Sequence, residues 1–236
     1  TRALARLRSW AIARRRLTVA LFDVTVGAVM SPIGTRNGAS EAERRPYRMG
    51  ARAEAAEATL TRVLEVALRL FTDNPYDEVS LEGVASEAGV TKRTVLRRFG
   101  SKEALFGEAM NVARDEMVAH REAAAVGDVS GAVANVVGQY EHWGANRLRL
   151  LEQEDRIPLI AEWVQGGREW HWAWVERVFA PQLKGVRGGE RTRRIAALVV
   201  LTDVYTWRLL RLDLKLSRAD CERTLVDLIN RLEGGS

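Results

Sequence analysis

The sequence predicts an all-α fold, on three observations. Apolar residues recur at helical spacing through most of the chain, and no segment alternates in the manner of a β-strand followed by a hairpin turn. In addition, 47% of the 236 residues are hydrophobic, which is enough for one or two domains with a core. The pattern changes after the segment AAAVGDVSG at 123–131. We therefore predict two helical domains, residues 52–120 and 128–236, after an N-terminal extension at 1–51.

The extension is strongly basic, whereas the rest of the chain is mildly acidic. Residues 1–52 contain 11 Arg and only three acidic residues, and from residue 53 onward 28 acidic residues outnumber 25 Lys and Arg. Arg14–Arg16 precede an apolar run like that of a secretory signal, but Asp23 interrupts the run. We expect a basic, disordered arm. Translation from Met30 or Met49, with the earlier residues as upstream read-through, is an equally open alternative.

The remaining composition restricts the class of protein. Cys221 is the only cysteine, so an intrachain disulfide is excluded and a reduced, cytoplasmic setting is favoured. No apolar run approaches the ~18–20 residues of a membrane-spanning helix, so we expect no membrane partner.

Four helices are predicted in the first domain. The first runs from Arg52 to about Phe71 and ends before Pro75, which cannot continue a helix. Ser80 is placed to cap a short helix that ends near Ala88. A second short helix follows from Thr91 to Phe99, and a longer helix runs from Ser101 to about residue 120. Five further helices are predicted at about 130–143, 145–154, 158–179, 190–212 and 218–233.

The second short helix carries an unusual concentration of positive charge. The segment GVTKRTVLRRFGSKEAL, from Gly89 to Leu105, contains five Lys or Arg before its first acidic residue. Two short helices joined by a glycine turn form a helix-turn-helix, which places its second helix in the DNA major groove. Lys and Arg neutralise phosphates, and Arg also donates in a fork to guanine. A solvated basic face is the ordinary explanation of such a cluster, but the paired helices favour DNA binding.

The stretch LEVALRLFTDNPYDEVSLEGVASEAGVTKRTVLRRFGSKEALFGEAM, residues 64–110, resembles the DNA-binding domain of the tetracycline-repressor (TetR) family. The similarity rests on Tyr76 with Ser80, on the turn AxxAGVT from Ala85 to Thr91, and on FxSKExL from Phe99 to Leu105. It implies a three-helix DNA-binding domain with a helix-turn-helix, followed by an all-helical domain for ligand binding and dimerisation.

The resemblance implies which residues contact DNA. Arg93 is the candidate for base readout, because its position often varies in the family. The family usually has Tyr, which holds a phosphate, where this chain has Leu96, so Arg97 and Arg98 are expected to anchor phosphates instead. The complete set of expected DNA-contacting residues is Ser80, Thr91, Lys92, Arg93, Thr94, Leu96, Arg97, Arg98 and Lys102.

The last two predicted helices carry apolar stripes suited to a four-helix dimer interface, although such stripes also pack within a subunit. Family resemblance implies a homodimer, which would place two reading helices about one DNA turn apart, ~34–36 Å, on a palindromic operator. The expected dimerisation residues are Leu198, Thr202, Tyr205, Leu209, Leu225, Leu228 and Leu232.

Five tryptophans fall between residues 143 and 174. Aromatic side chains line small-molecule pockets, and they also fill cores. Because the resemblance implies a domain that senses an inducer, we expect a ligand pocket formed by Gln139, Tyr140, Trp143, Trp163, Trp170, Trp174 and Asp203. Gly166 and Gly167 are predicted to weaken the helix between these tryptophans.

The leading hypothesis is therefore a transcriptional regulator, most often a repressor in this family, that a small-molecule inducer releases from double-stranded DNA. A dimeric DNA-binding regulator without a ligand switch is the first alternative. An enzyme with a helix-turn-helix targeting module is the second, disfavoured because none of the common catalytic motifs occurs. We expect no enzymatic activity, no cofactor and no metal.

Overall fold

Helices make up all the regular structure in the part of the chain that the structure describes, and the all-α fold is confirmed. The computed structural model describes the backbone of residues 41–232 and the side chains of residues 54–232. The helices are α1 (Glu41–Asp73), α2 (Leu81–Glu87), α3 (Lys92–Phe99), α4 (Lys102–Glu122), α5 (Val129–Leu151), α6 (Pro158–Val178), α7 (Gly188–Leu201), α8 (Val204–Arg208) and α9 (Arg218–Arg231). Short 3-10 turns lie at Tyr76–Glu78 and Pro181–Leu183, and a π-helical turn at Leu209–Asp213 follows α8.

The first helix begins earlier than the sequence pattern indicated, at Glu41 instead of near Arg52. Its N-terminal half is rich in Ala, Glu and Arg, which have high intrinsic helix propensity even where no apolar stripe marks the helix. Residues 1–40 of the predicted extension lie outside the described residues. The residues from Met49 onward form one compact unit.

Helices α2 and α3 pack on α1 and α4 through a small apolar core. Val84 and Ala85 of α2 and Val95 of α3 are buried together. Beneath them, the rings of Phe71 and Phe106 meet edge to face with centroids 5.2 Å apart. Burial of these side chains fixes the angle at which α3 is presented.

Two further predicted boundaries are wrong. The helices predicted at 130–143 and 145–154 are one helix, α5, which continues through Gly144 and ends at Leu151. Gly144 serves a close approach: a Cβ built there would lie 2.7 Å from Cη2 of Trp207. Conversely, the predicted helix 190–212 is divided after Leu201, because the side chain of Asp203 accepts a hydrogen bond (2.9 Å) from the backbone N–H of Tyr205 and caps the new helix α8.

Helices α5 to α9 enclose another part of the same core, in which Val137, Ile160, Val175, Leu198 and Ile229 are buried. Helix α6 is continuous from Pro158 to Val178 through Gly166 and Gly167. None of the helices within residues 41–232 is long and apolar enough to cross a membrane.

The end of α5 is hydrogen-bonded to the end of α1. The side chain of Asn146 donates to the carbonyl of Thr72 (3.3 Å), and Arg149 donates to the same carbonyl (3.1 Å). Gln153 accepts a hydrogen bond from the backbone N–H of Tyr76 (2.7 Å). These contacts join α5 to the elements that support α2 and α3.

Candidate functional site

The two short helices form a helix-turn-helix whose ends are fixed by side-chain caps. Ser80 Oγ accepts a hydrogen bond from the N–H of Gly83 (3.0 Å), and Thr91 Oγ1 accepts one from the N–H of Thr94 (3.2 Å). Between the helices, Gly89 has a φ of +69°, a left-handed conformation that costs glycine little. Ser80 and Thr91 therefore have a structural role at helix N-termini, and both side chains remain exposed.

Helix α3 buries one face and exposes a basic one. Val95 and Phe99 point into the core, whereas Lys92, Arg93, Arg97 and Arg98 are exposed; these four side chains are called the cationic face. Lys92 forms an ion pair with Glu82 of α2. Among the described residues, Arg93, Arg97 and Arg98 form no ion pair, so their guanidinium groups are available to an external anion.

The remaining residues expected at the DNA differ in their exposure. Leu96 is 37% exposed on the same side of α3 as the cationic face. Thr94 is half-buried, and its hydroxyl lies 2.9 Å from that of Thr91. Lys102 donates to the carbonyl of Tyr76 (2.6 Å) and lies 4.2 Å from the centre of the Tyr76 ring. These two contacts hold the Lys102 side chain against Tyr76. Burial, followed by the nearby Glu103 carboxylate, raises the pKa of the Tyr76 hydroxyl to about 12.

An apolar cavity of about 50 Å³ lies where α4, α5 and α6 meet the end of α1. Four of the seven residues expected in a ligand pocket line it, namely Gln139, Tyr140, Trp143 and Trp163. The other lining residues are Thr72, Met110, Ala113, Arg114, Met117, Asn146, Arg147 and Leu150. The apolar stripe of α4 did not indicate a pocket in the sequence, because ordinary core packing also explains such a stripe.

Three residues expected in the pocket lie elsewhere. Trp174 is buried in the core, where its Nε1 donates to the backbone carbonyl of Arg121 (3.0 Å). Asp203 caps α8, and Trp170 packs half-buried against the core. The i, i+7, i+11 spacing of Trp163, Trp170 and Trp174 places them on one helical face, but it does not decide which stretch of that face borders a cavity.

Arg121 explains why two of the predicted ligand contacts are already engaged. It is 2% exposed, and its Nε donates to Gln139 Oε1 (2.6 Å) while Nη2 donates to the hydroxyl of Tyr140 (3.0 Å). That hydroxyl in turn donates to the carbonyl of Thr202 (3.1 Å). Gln139 and Tyr140 therefore line the cavity with side chains that already accept hydrogen bonds from Arg121.

The residues expected at a dimer interface divide into two groups. Leu198, Thr202 and Leu225 are buried within the subunit, as the alternative of internal packing anticipates, whereas Leu232 is half-buried. Tyr205 is 52% exposed, Leu209 is 50% exposed and Leu228 is 40% exposed. Val200, Leu212 and Leu214, which were not selected from the sequence, are exposed on the same segment of chain. Together Val200, Tyr205, Leu209, Leu212, Leu214 and Leu228 are called the apolar surface.

Capped helices on either side of a glycine turn, with a basic second helix, define a helix-turn-helix protein. Residues 63–109 match the family model described as bacterial regulatory proteins, tetR family. This match agrees with the resemblance of residues 64–110, and this part of the chain is a DNA-binding domain of the tetR family.

Solved structures share the fold over a longer part of the chain. A transcriptional regulator from Rhodococcus sp. RHA1 is 18% identical with a TM-score of 0.58, over 74% of this chain and 96% of that one. A tetR-family regulator from Streptomyces coelicolor is 20% identical with a TM-score of 0.55, over 73% and 81%. NalD, the secondary repressor of the MexAB-OprM multidrug efflux pump in Pseudomonas aeruginosa, is 22% identical with a TM-score of 0.54, over 75% and 96%. No curated protein sequence matches the chain. At these identities the structures show a shared fold.

Proposed function

We propose that this protein is a cytoplasmic repressor that binds a palindromic operator as a homodimer and is released by a small-molecule inducer. The observation that carries the DNA-binding part is the cationic face on a capped, rigidly supported helix. Arg93 lies in the first turn of α3, the part of a recognition helix that reaches base edges. Arg97 and Arg98 in the last turn would neutralise phosphates.

The apolar surface supports the proposed dimer. Large apolar side chains that remain exposed together on a folded subunit commonly mark an interaction site. Here they follow one another from the end of α7 through α8 and the π-helical turn, with Leu228 on α9. A twofold partner on this surface would bring a second α3 to the same DNA.

The position of the cavity supports coupling between ligand and DNA. Met110, Ala113 and Met117 line it from α4, and α4 begins three residues after α3 ends. Thr72 lines it from the end of α1 and accepts hydrogen bonds from Asn146 and Arg149. A ligand that pushes α4 away from α5 would therefore displace the base of the DNA-binding domain. A difference of a few kcal/mol in ligand affinity between two states is enough to shift DNA occupancy strongly.

Selection of bound duplexes from a random pool tests the DNA-binding part. The expected result is a palindrome whose half-sites are about one helical turn, ~34–36 Å, apart, bound by two chains as measured by light scattering. Recovery of no enriched sequence at low ionic strength would contradict the proposal, and so would a single unpaired half-site bound by one chain.

The size of the cavity favours one alternative, a dimeric regulator without a ligand switch. At about 50 Å³, the cavity is smaller than the roughly 300–1,000 Å³ of typical ligand pockets. Measuring the affinity for the selected operator in the presence of each compound of a broad library distinguishes the two candidates. An inducer lowers the operator affinity of a ligand-responsive repressor, whereas no compound changes that of a regulator without a switch.

A further inference from the structure

The cavity between α4, α5 and α6 contains hydrogen-bond donors with nothing to donate to. The Nε atom of Arg147 and the Nε1 atom of Trp163 are both buried and have no hydrogen-bond partner among the described residues. Both residues line the cavity, and both groups act only as donors. Buried donors are nearly always paired in folded proteins, so two unpaired donors in one cavity indicate an absent acceptor.

Arg147 has little else to hold it. Its Nη1 atom lies 3.6 Å from the sulfur of Met117, and a thioether is only a weak acceptor. Within the described part of the chain, neither Arg147 nor the fully buried Arg121 forms an ion pair with a carboxylate. Arg121 is buried and Arg147 is half-buried. Because buried charges in proteins are normally paired, the absence of an ion pair leaves this region short of a directly bound anion, although the more distant Asp203 interacts electrostatically with Arg121.

The charges of Arg121 and Arg147 also act on His171. Burial, followed by the charges of Arg121 and Arg147, lowers its pKa to about 3. The imidazole therefore stays neutral and adds no further cation, whereas the two guanidinium groups remain. Arg114 at the cavity wall contributes a third basic group.

The rest of the lining limits which hydrogen-bond acceptor would fit in the cavity. Met110, Ala113, Met117, Trp143 and Leu150 give the walls an apolar surface. A phosphate dianion would need more donors than one guanidinium and one indole provide, whereas a carboxylate on an apolar body matches both the donors and the walls.

We propose that the effector of this regulator is a small apolar monocarboxylate, an aromatic or branched-chain acid, whose carboxylate accepts hydrogen bonds from Arg147 and Trp163. This inference rests on the proposed function for its regulatory consequence, but the binding site stands on the cavity itself. The cavity opens through the unbranched side chains of Met110 and Met117, because methionine adapts readily to a new neighbour. Entry of the acid thereby presses on α4.

The test compares acids with uncharged molecules of the same shape. Binding of 3-phenylpropionate and 4-methylpentanoate to the full chain is measured by calorimetry beside their primary amides, in the wild type and in Arg147→Met, Arg147→Lys and Trp163→Phe. Arg177→Met and Trp172→Phe are matched controls, since both residues are exposed on α6. Circular dichroism confirms that each variant is folded.

The acids are expected to bind at least tenfold more tightly than the amides. Arg147→Met should remove that preference, Arg147→Lys should retain part of it through charge, and Trp163→Phe should weaken acid binding several-fold, while both controls bind like the wild type. Amides that bind as well as acids would overturn the proposal, as would acid binding that Arg147→Met leaves unchanged or an absence of acid binding in the wild type.

A second readout separates this inference from the proposed function. If the acids bind with the expected dependence on Arg147 but do not change operator affinity, the site is correct and the ligand switch is wrong. If an uncharged compound releases the operator and the acids neither bind nor compete, the switch is correct and the carboxylate assignment is wrong.

Discussion

The Nη1 atom of Arg121 in α4 lies 3.3 Å from Nδ1 of the buried His171 in α6. Because a guanidinium only donates, Nδ1 must accept, and the proton of the neutral ring is on Nε2. That nitrogen lies 3.2 Å from the hydroxyl oxygen of Thr202, which donates its own proton to the carbonyl of Leu198 (2.7 Å). The chain of hydrogen bonds is complete only while His171 is uncharged.

Stability should therefore fall as the pH drops below about 6.5. The folded-state pKa of His171 is lowered to about 3, so the unfolded chain binds the proton first as the pH decreases. The contribution of this residue is fully present above pH 6.5, the ordinary value for histidine, and is lost by about 1.4 kcal/mol per pH unit toward pH 3. Urea unfolding at pH 7.5 and pH 5.5 measures the change.

His171→Gln provides the comparison, because an amide can accept from Arg121 and donate to Thr202 without titrating. We expect its free energy of unfolding to change by about 1.4 kcal/mol less between the two pH values than that of the wild type. His142→Gln is the control, since His142 is exposed. An identical pH dependence in His171→Gln and the wild type would contradict the assignment.

Substitutions on the cationic face should affect DNA binding in two different ways. Arg93→Ala is expected to cost roughly 1–3 kcal/mol and to relax the preference at one base position, whereas Arg97→Ala should weaken binding to all sequences about equally and reduce the salt dependence. Binding titrations on the selected operator and on single-base variants, at two salt concentrations, distinguish these effects. Arg177→Ala, on α6, should bind like the wild type.

Lys102→Ala tests a revised role. The family resemblance implied that Lys102 contacts a phosphate or a base, but the ammonium is engaged by the carbonyl and ring of Tyr76. We now expect Lys102→Ala to lower thermal stability as well as DNA affinity, since the loss of a charged hydrogen bond costs about 1.5–3 kcal/mol. A variant with unchanged melting temperature and uniformly weaker DNA binding would restore the original interpretation.

Gly144 should not tolerate a methyl group. The Cβ of Gly144→Ala would collide with the Trp207 indole, and overpacking of this kind costs typically 1–3 kcal/mol. Gly107→Ala is the matched control, because a Cβ there has nothing within 4 Å and alanine favours a helix by up to about 1 kcal/mol over glycine. Thermal unfolding of the two variants should therefore shift in opposite directions.

The apolar surface should control the oligomeric state. Tyr205→Glu combined with Leu209→Glu is expected to yield a folded monomer by light scattering, because four carboxylates would face one another across a twofold interface. Val126→Glu alters an apolar residue that is 56% exposed elsewhere, and it should remain dimeric. A double variant that is still a dimer would place the interface on another surface.

The sequence alone determined the first domain well, because its signals are local. Caps at Ser80, Thr91 and Ser101 and the left-handed Gly89 fix where helices begin and end, and each depends on residues only a few positions away. The cationic face was readable for the same reason, since helical spacing separates Val95 and Phe99 from the basic residues around them. The TetR-family assignment rests on this same local pattern.

What only the tertiary structure decided lies in helices α4 to α9, where contacts join residues far apart in sequence. Spacing along α6 placed three tryptophans on one face but could not show that Trp163 borders a cavity and Trp174 the core. Nor could it show that Gly144 makes room for Trp207, or that Arg121 is buried without a carboxylate while Arg147 is left with an unpaired donor. Burial and charge compensation are set by every helix that packs around a group, so they follow from the assembled fold and not from any one segment.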